Sequence, residues 1–249
     1  MAGHSKWANI KHRKGRQDAK RGKLFAKLAK AIEVAARVGG GSPEFNPTLA
    51  TAVEKAKAAD MPNDNIDRAI KRGTGEVEGA VYEEIYYEGY GPGGVALYVH
   101  ILTDNRNRAA SDVRSTFTRY NSSLGEPGSV GYLFSQKGVI LAVGSEDDVM
   151  LTALDAGAED IREAGEGMFE VVTEAGDLEQ VREALAASGL GVESADVTQL
   201  PSALVPVEEG DAKKLLRLID ALDDLDDVQE VFSNYDIDDA VMEKVLAEV

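Results

Sequence analysis

The spacing of apolar residues changes period once, near residue 77, and that change sets the class of fold. Before it, apolar side chains recur every three or four residues: Leu24, Leu28, Ala31, Ile32 and Ala35 share one face with Phe25 beside them, and Leu49, Ala52, Val53 and Ala56 form a second stripe. After it, "VYEEIYYEGYGPGGVALYVHIL" (81–102) places two β-rich runs around a Gly/Pro turn, the pattern of a hairpin. A chain that is helical first and strand-rich afterwards reads as α+β.

Punctuation residues refine this. The first helix is predicted from about Asp18 to Val38 and is stopped by "VGGGSPEF". Asn46 and Pro47 open a second helix as cap and first-turn residue, and "MPNDNIDRAIKRGTG" predicts a third with Gly73 just past its end. Residues 1–76 are thus expected to form a helical domain with a basic N-terminal arm. Further on, "TDNRNRAASDVRSTFTRY" predicts a helix with Ala109, Val113 and Phe117 inward and Asp104 or Asn105 as cap, and "NSSLGEPGSVGYLF" is a loop leading to a strand. Residues 137–201 parse as β-α-β-β-α-β, the ferredoxin-like unit, with capping boxes expected at Ser145/Asp148 and Asp177/Gln180. Residues 77–136 hold too few strands to close a sheet alone. They are expected to join 202–249 in one discontinuous α+β domain around the 137–201 insertion.

Charge is segregated along the chain, whose formal net charge is −17. Residues 1–30 carry 10 basic residues against 1 acidic, residues 31–135 carry 10 against 14, and residues 136–249 carry 7 against 29. A negative body repels nucleic acid and anionic lipid over about a Debye length, so a polyanion has to approach the N-terminal end. Arg13, Arg16, Lys20, Lys23, Lys27 and Lys30 alternate steps of three and four, which on a helix makes a cationic ridge beside the apolar face. Trp7, the only Trp, lies among Lys6, Lys11 and His12; it either stacks on an exposed base or packs the arm onto its domain. Arg106 and Arg108 fall in a first helical turn, where the helix dipole disfavours cations. Either an anionic ligand or a carboxylate partner, as on a salt-bridged surface, would account for them.

Other chemistry has little to stand on. With no Cys, thiolate metal sites, disulfides and Cys nucleophiles are excluded. No apolar run approaches the roughly 18 residues of a membrane span, and Lys23, Lys27 and Lys30 interrupt what would be the apolar part of a secretion signal, so a cytoplasmic protein is expected. Gly89, Gly91 and Gly94 match G-x-G-x-x-G, but a strand follows where a dinucleotide site needs a helix. The run "DALDDLDDVQEVFSNYDIDD" lacks the glycine and spacing of a calcium loop and reads as a solvated acidic surface. "NSS" at Asn121 has no consequence without secretion, His100 lies inside an apolar strand, and His4 and His12 have no nearby nucleophile or carboxylate. No catalytic residue, metal or cofactor is expected.

Six stretches, "MAGHSKWANIKHRKGRQDAKRGKLF", "GGGSPEFNPTL", "MPNDNIDRAIKRGTG", "YEGYGPGG", "LTDNRNRAASDVR" and "PGSVGYLFSQKG", resemble the successive signature blocks of the YebC/PmpR family, whose mitochondrial relatives are translational activators. They cover residues 1–138 almost continuously. The resemblance implies three domains, helical and then two α+β, and a non-enzymatic role in gene expression. Family members are described both as DNA-binding transcriptional regulators and as ribosome-associated factors that help translation through stretches such as consecutive prolines. Carried onto this chain, the nucleic-acid surface comprises Lys6, Trp7, Lys11, His12, Arg13, Lys14, Arg16, Lys20, Arg21, Lys23, Lys27 and Lys30, with Arg106 and Arg108. A basic arm on an acidic body suits folded RNA, where shape and phosphate geometry outweigh base edges, whereas DNA readout needs an element for the major groove that the sequence does not supply. Ribosomal RNA is therefore the expected partner, DNA the runner-up, and a hydrolase using the acidic half a third, unsupported reading. No membrane or small-molecule partner is expected, and the chain is expected to be a monomer.

Overall fold

The computed structural model describes residues 21–165 and 167–248. Among the described residues three helices come first: α1 (Arg21–Gly39), α2 (Pro47–Ala58) and α3 (Asn63–Thr74). Their inward faces bury Ile32, Ala35, Ala36, Leu49, Val53, Ile66 and Ala69 in one core. Asn46 links the first two helices. Its Oδ1 accepts from the Leu49 N–H (3.1 Å), and its Nδ2 donates to the carbonyls of Ala35 and Gly40 (2.8 Å each), so a buried polar side chain is fully used.

Gly73 is not the helix terminator predicted from sequence. It lies buried inside α3, and the left-handed residue that ends the helix is Gly75 (φ +83°). Gly73 is where α3 crosses α1: a Cβ there would stand 2.5 Å from the Glu33 carbonyl oxygen and 2.7 Å from the Ala36 Cβ. Beside that crossing, Arg72 Nη1 pairs with the buried Glu33 carboxylate at 3.1 Å.

The strands begin with β1 (Glu83–Tyr90) and β2 (Ala96–Thr103), an antiparallel hairpin from Glu83↔Thr103 to Tyr90↔Ala96. Its turn is a short 3-10 segment, Pro92–Gly94, in which Gly93 and Gly94 take φ of +74° and +77°. The glycine-rich match therefore serves the turn, as the sequence indicated. Helix α4 (Arg106–Arg119) follows, capped by Asn105, and buries Ala109, Val113, Thr116 and Phe117. A two-residue strand, β3 (Ser123–Leu124), returns to β1. The loop after it closes over the buried Glu88 carboxylate, which accepts the N–H groups of Gly128 (2.7 Å), Val130 (2.6 Å) and Gly131 (2.7 Å).

Strand β4 (Phe134–Val143) opens the ferredoxin-like unit, which continues through α5 (Glu146–Asp155), β5 (Asp160–Gly165), β6 (Met168–Glu174), α6 (Leu178–Ala187) and β7 (Gly191–Pro201). The sheet order is β5-β6-β4-β7, with every pair antiparallel. Phe134 pairs with Pro201, so the chain leaves this sheet beside the point where it entered, as an insertion requires. Ser145 caps α5 through the Asp148 N–H, but the expected box at α6 does not form: Asp177 makes no side-chain cap, and Gln180 Nε2 instead donates to the Ala156 carbonyl at 2.9 Å.

After β8 (Val205–Pro206) come α7 (Glu209–Asp223), β9 (Val228–Ser233), β10 (Tyr235–Asp236) and α8 (Asp239–Glu248). Strand β9 pairs antiparallel with β2, giving a sheet of order β3-β1-β2-β9 whose edge is supplied from the far end of the chain. Leu215, Leu218 and Leu222 of α7 share a core with Leu97, Val99, Ile101, Val113 and Phe117. The fold is α+β, a helical unit followed by two α+β units with the ferredoxin-like one inserted in the other.

Candidate nucleic-acid interface

Of the residues predicted to contact nucleic acid, Lys6, Trp7, Lys11, His12, Arg13, Lys14, Arg16 and Lys20 lie outside the described residues. Arg21 is the first residue of α1. Of the remaining five, Lys23, Lys27, Lys30 and Arg108 are found at one junction, between α1, α4 and the turn that joins α7 to β9, whereas Arg106 faces Glu83 of β1.

Lys23, Lys27 and Lys30 form one ridge along α1, and each reaches the end of α7. Lys23 Nζ donates to the Asp224 carbonyl (2.9 Å), Lys27 Nζ to the Asp223 carbonyl (2.6 Å) and carboxylate (3.1 Å), and Lys30 Nζ to the Asp226 carbonyl (2.8 Å) and the Asp227 carboxylate (2.9 Å). A helix C-terminus leaves its last carbonyls without intrahelical donors and carries the negative end of the helix dipole. The ammonium groups of Lys23 and Lys27 satisfy both needs, across some 200 residues of sequence, and Lys30 holds the turn just beyond.

Asp227 is the centre of the junction. Its side chain is 7% exposed, and it takes Lys30 from α1, Arg108 Nη2 from α4 (2.8 Å) and the Thr103 hydroxyl from β2 (3.0 Å). Burial alone would push this carboxyl up; the hydrogen bonds from Lys30, Arg108 and Thr103 outweigh it and hold the group below its ordinary value. Arg108 also binds Asp104 at 2.7 Å, and Arg106 approaches Glu83 at 3.6 Å. Arg106 and Arg108 thus both have carboxylate partners, which accounts for cations in a first helical turn. A cavity of about 310 Å³ opens beside the junction, lined by Lys23, Arg108, Asp112, Asp224, Asp226 and Asp227 among others.

The acidic run is thus not the solvated surface expected from its composition. Its first part is the receptor for the cationic ridge, and Asp227 is buried within it. Nothing local in the sequence marks this; the run of alternating acids is the same whether it faces water or lysines 196 residues away. Among the described residues there is no group of three His, Cys, Asp or Glu able to hold a metal ion, and no helix is long and apolar enough to cross a membrane. His100, the histidine within β2, is engaged with Glu84 at 2.7 Å.

A helical unit clamped by lysines to an α+β body with a ferredoxin-like insertion defines the structural class. The N-terminal part, residues 5–76, matches the TACO1/YebC protein N-terminal domain, and residues 82–235 match the TACO1/YebC second and third domain. The chain belongs to the TACO1/YebC family. It is 59% identical to a protein of Acidothermus cellulolyticus over 98% of this chain and all of that one, and 57% identical to a protein of Streptomyces coelicolor over 98% and 99%; both are named "probable transcriptional regulatory protein". The crystal structure of a conserved hypothetical protein from Aquifex aeolicus is similar throughout, with a TM-score of 0.82, 48% identity, and coverage of 94% of this chain and 98% of that one.

Proposed function

We propose that this protein is a non-enzymatic, cytoplasmic regulator of gene expression that binds ribosomal RNA and assists translating ribosomes that have stalled. The observation that carries this reading is the placement of cations. Residues 1–20 hold six Lys or Arg against one Asp in a chain of net charge −17, while the next three lysines, Lys23, Lys27 and Lys30, are committed to the acidic turn. The clamp fixes α1 against the body, and the cationic segment precedes this helix in the sequence. Each cation that meets a phosphate releases a counterion, which makes such binding steeply salt-dependent.

The names of the relatives favour a second reading, DNA-bound transcriptional control. Against it, the cationic ridge of α1 faces the acidic turn of the same chain, where it is not available to a major groove. Sedimentation of lysate through a density gradient separates the two. Migration with ribosomes at low salt and release to the top at high salt is the expected result. A protein that stays at the top in both conditions contradicts the ribosomal reading and turns the search to specific DNA sites.

A further inference from the structure

Helix α4 carries four arginines, Arg106, Arg108, Arg114 and Arg119, against a single acid, Asp112, in a protein dominated by acids. The first two are paired as described. Arg114 and Arg119 are exposed and have no ion pair or side-chain hydrogen bond among the described residues, and the same is true of the Asn107 and Ser111 side chains. These four line one shallow groove of about 650 Å³ along the outward face of α4, with Ala110, Ser115 and Thr118 between them. The Ser115 and Thr118 hydroxyl protons are used within the helix, on the carbonyls of Asp112 and Arg114. The one acid, Asp112, is exposed and lines the cavity at the junction with Lys23 and Arg108.

We propose that this outward face of α4 is a second RNA-contacting surface, on which Arg114 and Arg119 bind backbone phosphates and Asn107 and Ser111 supply neutral hydrogen bonds. Arginine in the last turn satisfies the helix dipole, which accounts for Arg119 within the chain; no described residue accounts for Arg114. Five residues of helix separate the two guanidinium-bearing positions by about 7.5 Å along the axis, and both long side chains line the same groove. Phosphate contacts of this kind come from Arg together with Asn and Ser, and they position a nucleic acid without reading its sequence. On its other side α4 meets α1: Lys23 of α1 and Arg108 of α4 line the junction cavity together.

This proposal rests on the RNA-binding reading, and one titration tests the two separately. A fluorescein-labelled RNA hairpin, and a DNA duplex of matching sequence, are titrated with the full-length protein from about 50 to 200 mM salt, the range over which phosphate contacts change affinity most visibly. The expected result is RNA binding by the wild type, a log–log salt slope shallower by about 1.5 in R114Q/R119Q, and recovery of most of that slope in R114K/R119K, since the term follows charge. Unchanged thermal midpoints are expected because both side chains are exposed. If R114Q/R119Q keeps wild-type affinity and slope, the α4 surface is overturned while RNA binding stands. A wild type that binds only the duplex, or neither probe, overturns both.

Discussion

Lys23, Lys27 and Lys30 on α1 and Arg114 and Arg119 on α4 belong to neighbouring helices in the same acidic protein, yet their surroundings differ completely. Every member of the first group ends on a carbonyl or carboxylate of the α7–β9 turn, and Lys27 and Lys30 are only 14% and 16% exposed. Members of the second group face a groove lined by Asn, Ser, Thr and Ala. The difference teaches that a cation's role cannot be assigned from the sign of the local sequence alone. Where the fold brings an anion within hydrogen-bonding reach and removes water, the pair becomes part of the architecture, because breaking it leaves a charge stranded. Where it does not, the charge is free to act outward.

The largest expected effect comes from breaking the paired group. Replacing Asp227 by Ala removes the shared partner of Lys30, Arg108 and Thr103 at a buried site, and should destabilise the protein by about 3 kcal/mol. Urea unfolding measures this directly; a loss below about 0.5 kcal/mol, the size typical of surface substitutions, would mean that the junction is only a surface contact.

Acid provides a smaller, graded version of the same break. Asp227 and Glu88 are both held below their ordinary values, the first by Lys30 and Arg108 and the second by three backbone N–H groups, in each case against burial that opposes the charge. Carboxyls depressed by folding stabilise fully above their unfolded values, near pH 4, and that stabilisation is lost as pH falls through their lower folded values. The urea midpoint should therefore fall between about pH 5 and pH 2, and a D227N/E88Q variant should begin lower and fall less steeply. Equal slopes in the two proteins would remove these carboxyls from the account.

Much of the fold was legible because its signals are local. The change of hydrophobic period, the caps at Asn46, Asn105 and Ser145, and the glycine turn of the hairpin each depend on residues a few positions apart. Failures arose where the same local pattern serves two structures. A glycine near the end of a helical repeat can terminate the helix or admit a neighbouring backbone; Gly73 does the second and Gly75 the first. Asp177 and Gln180 have the spacing of a capping box, but Gln180 finds the Ala156 carbonyl instead.

The candidate site was less legible than the fold. Charge segregation pointed to the N-terminal 30 residues as a block, while Lys23, Lys27 and Lys30, the described lysines of that block, meet acids some 200 positions away. Arg114 and Arg119 were visible as part of a helix with four arginines and one acid. Their lack of described partners is a property of the assembled surface alone.

The division between holding cations and binding cations is tested most directly by the salt dependence of RNA binding in two variants. One replaces Lys6, Lys11, Arg13, Lys14, Arg16 and Lys20 by Gln, and the other replaces Lys27 and Lys30. The account predicts that the first loses about four to five units of log–log slope at an unchanged unfolding midpoint, whereas the second keeps the wild-type slope and loses stability. The reverse pattern, with RNA binding lost through Lys27 and Lys30 and retained without the first six cations, would contradict it.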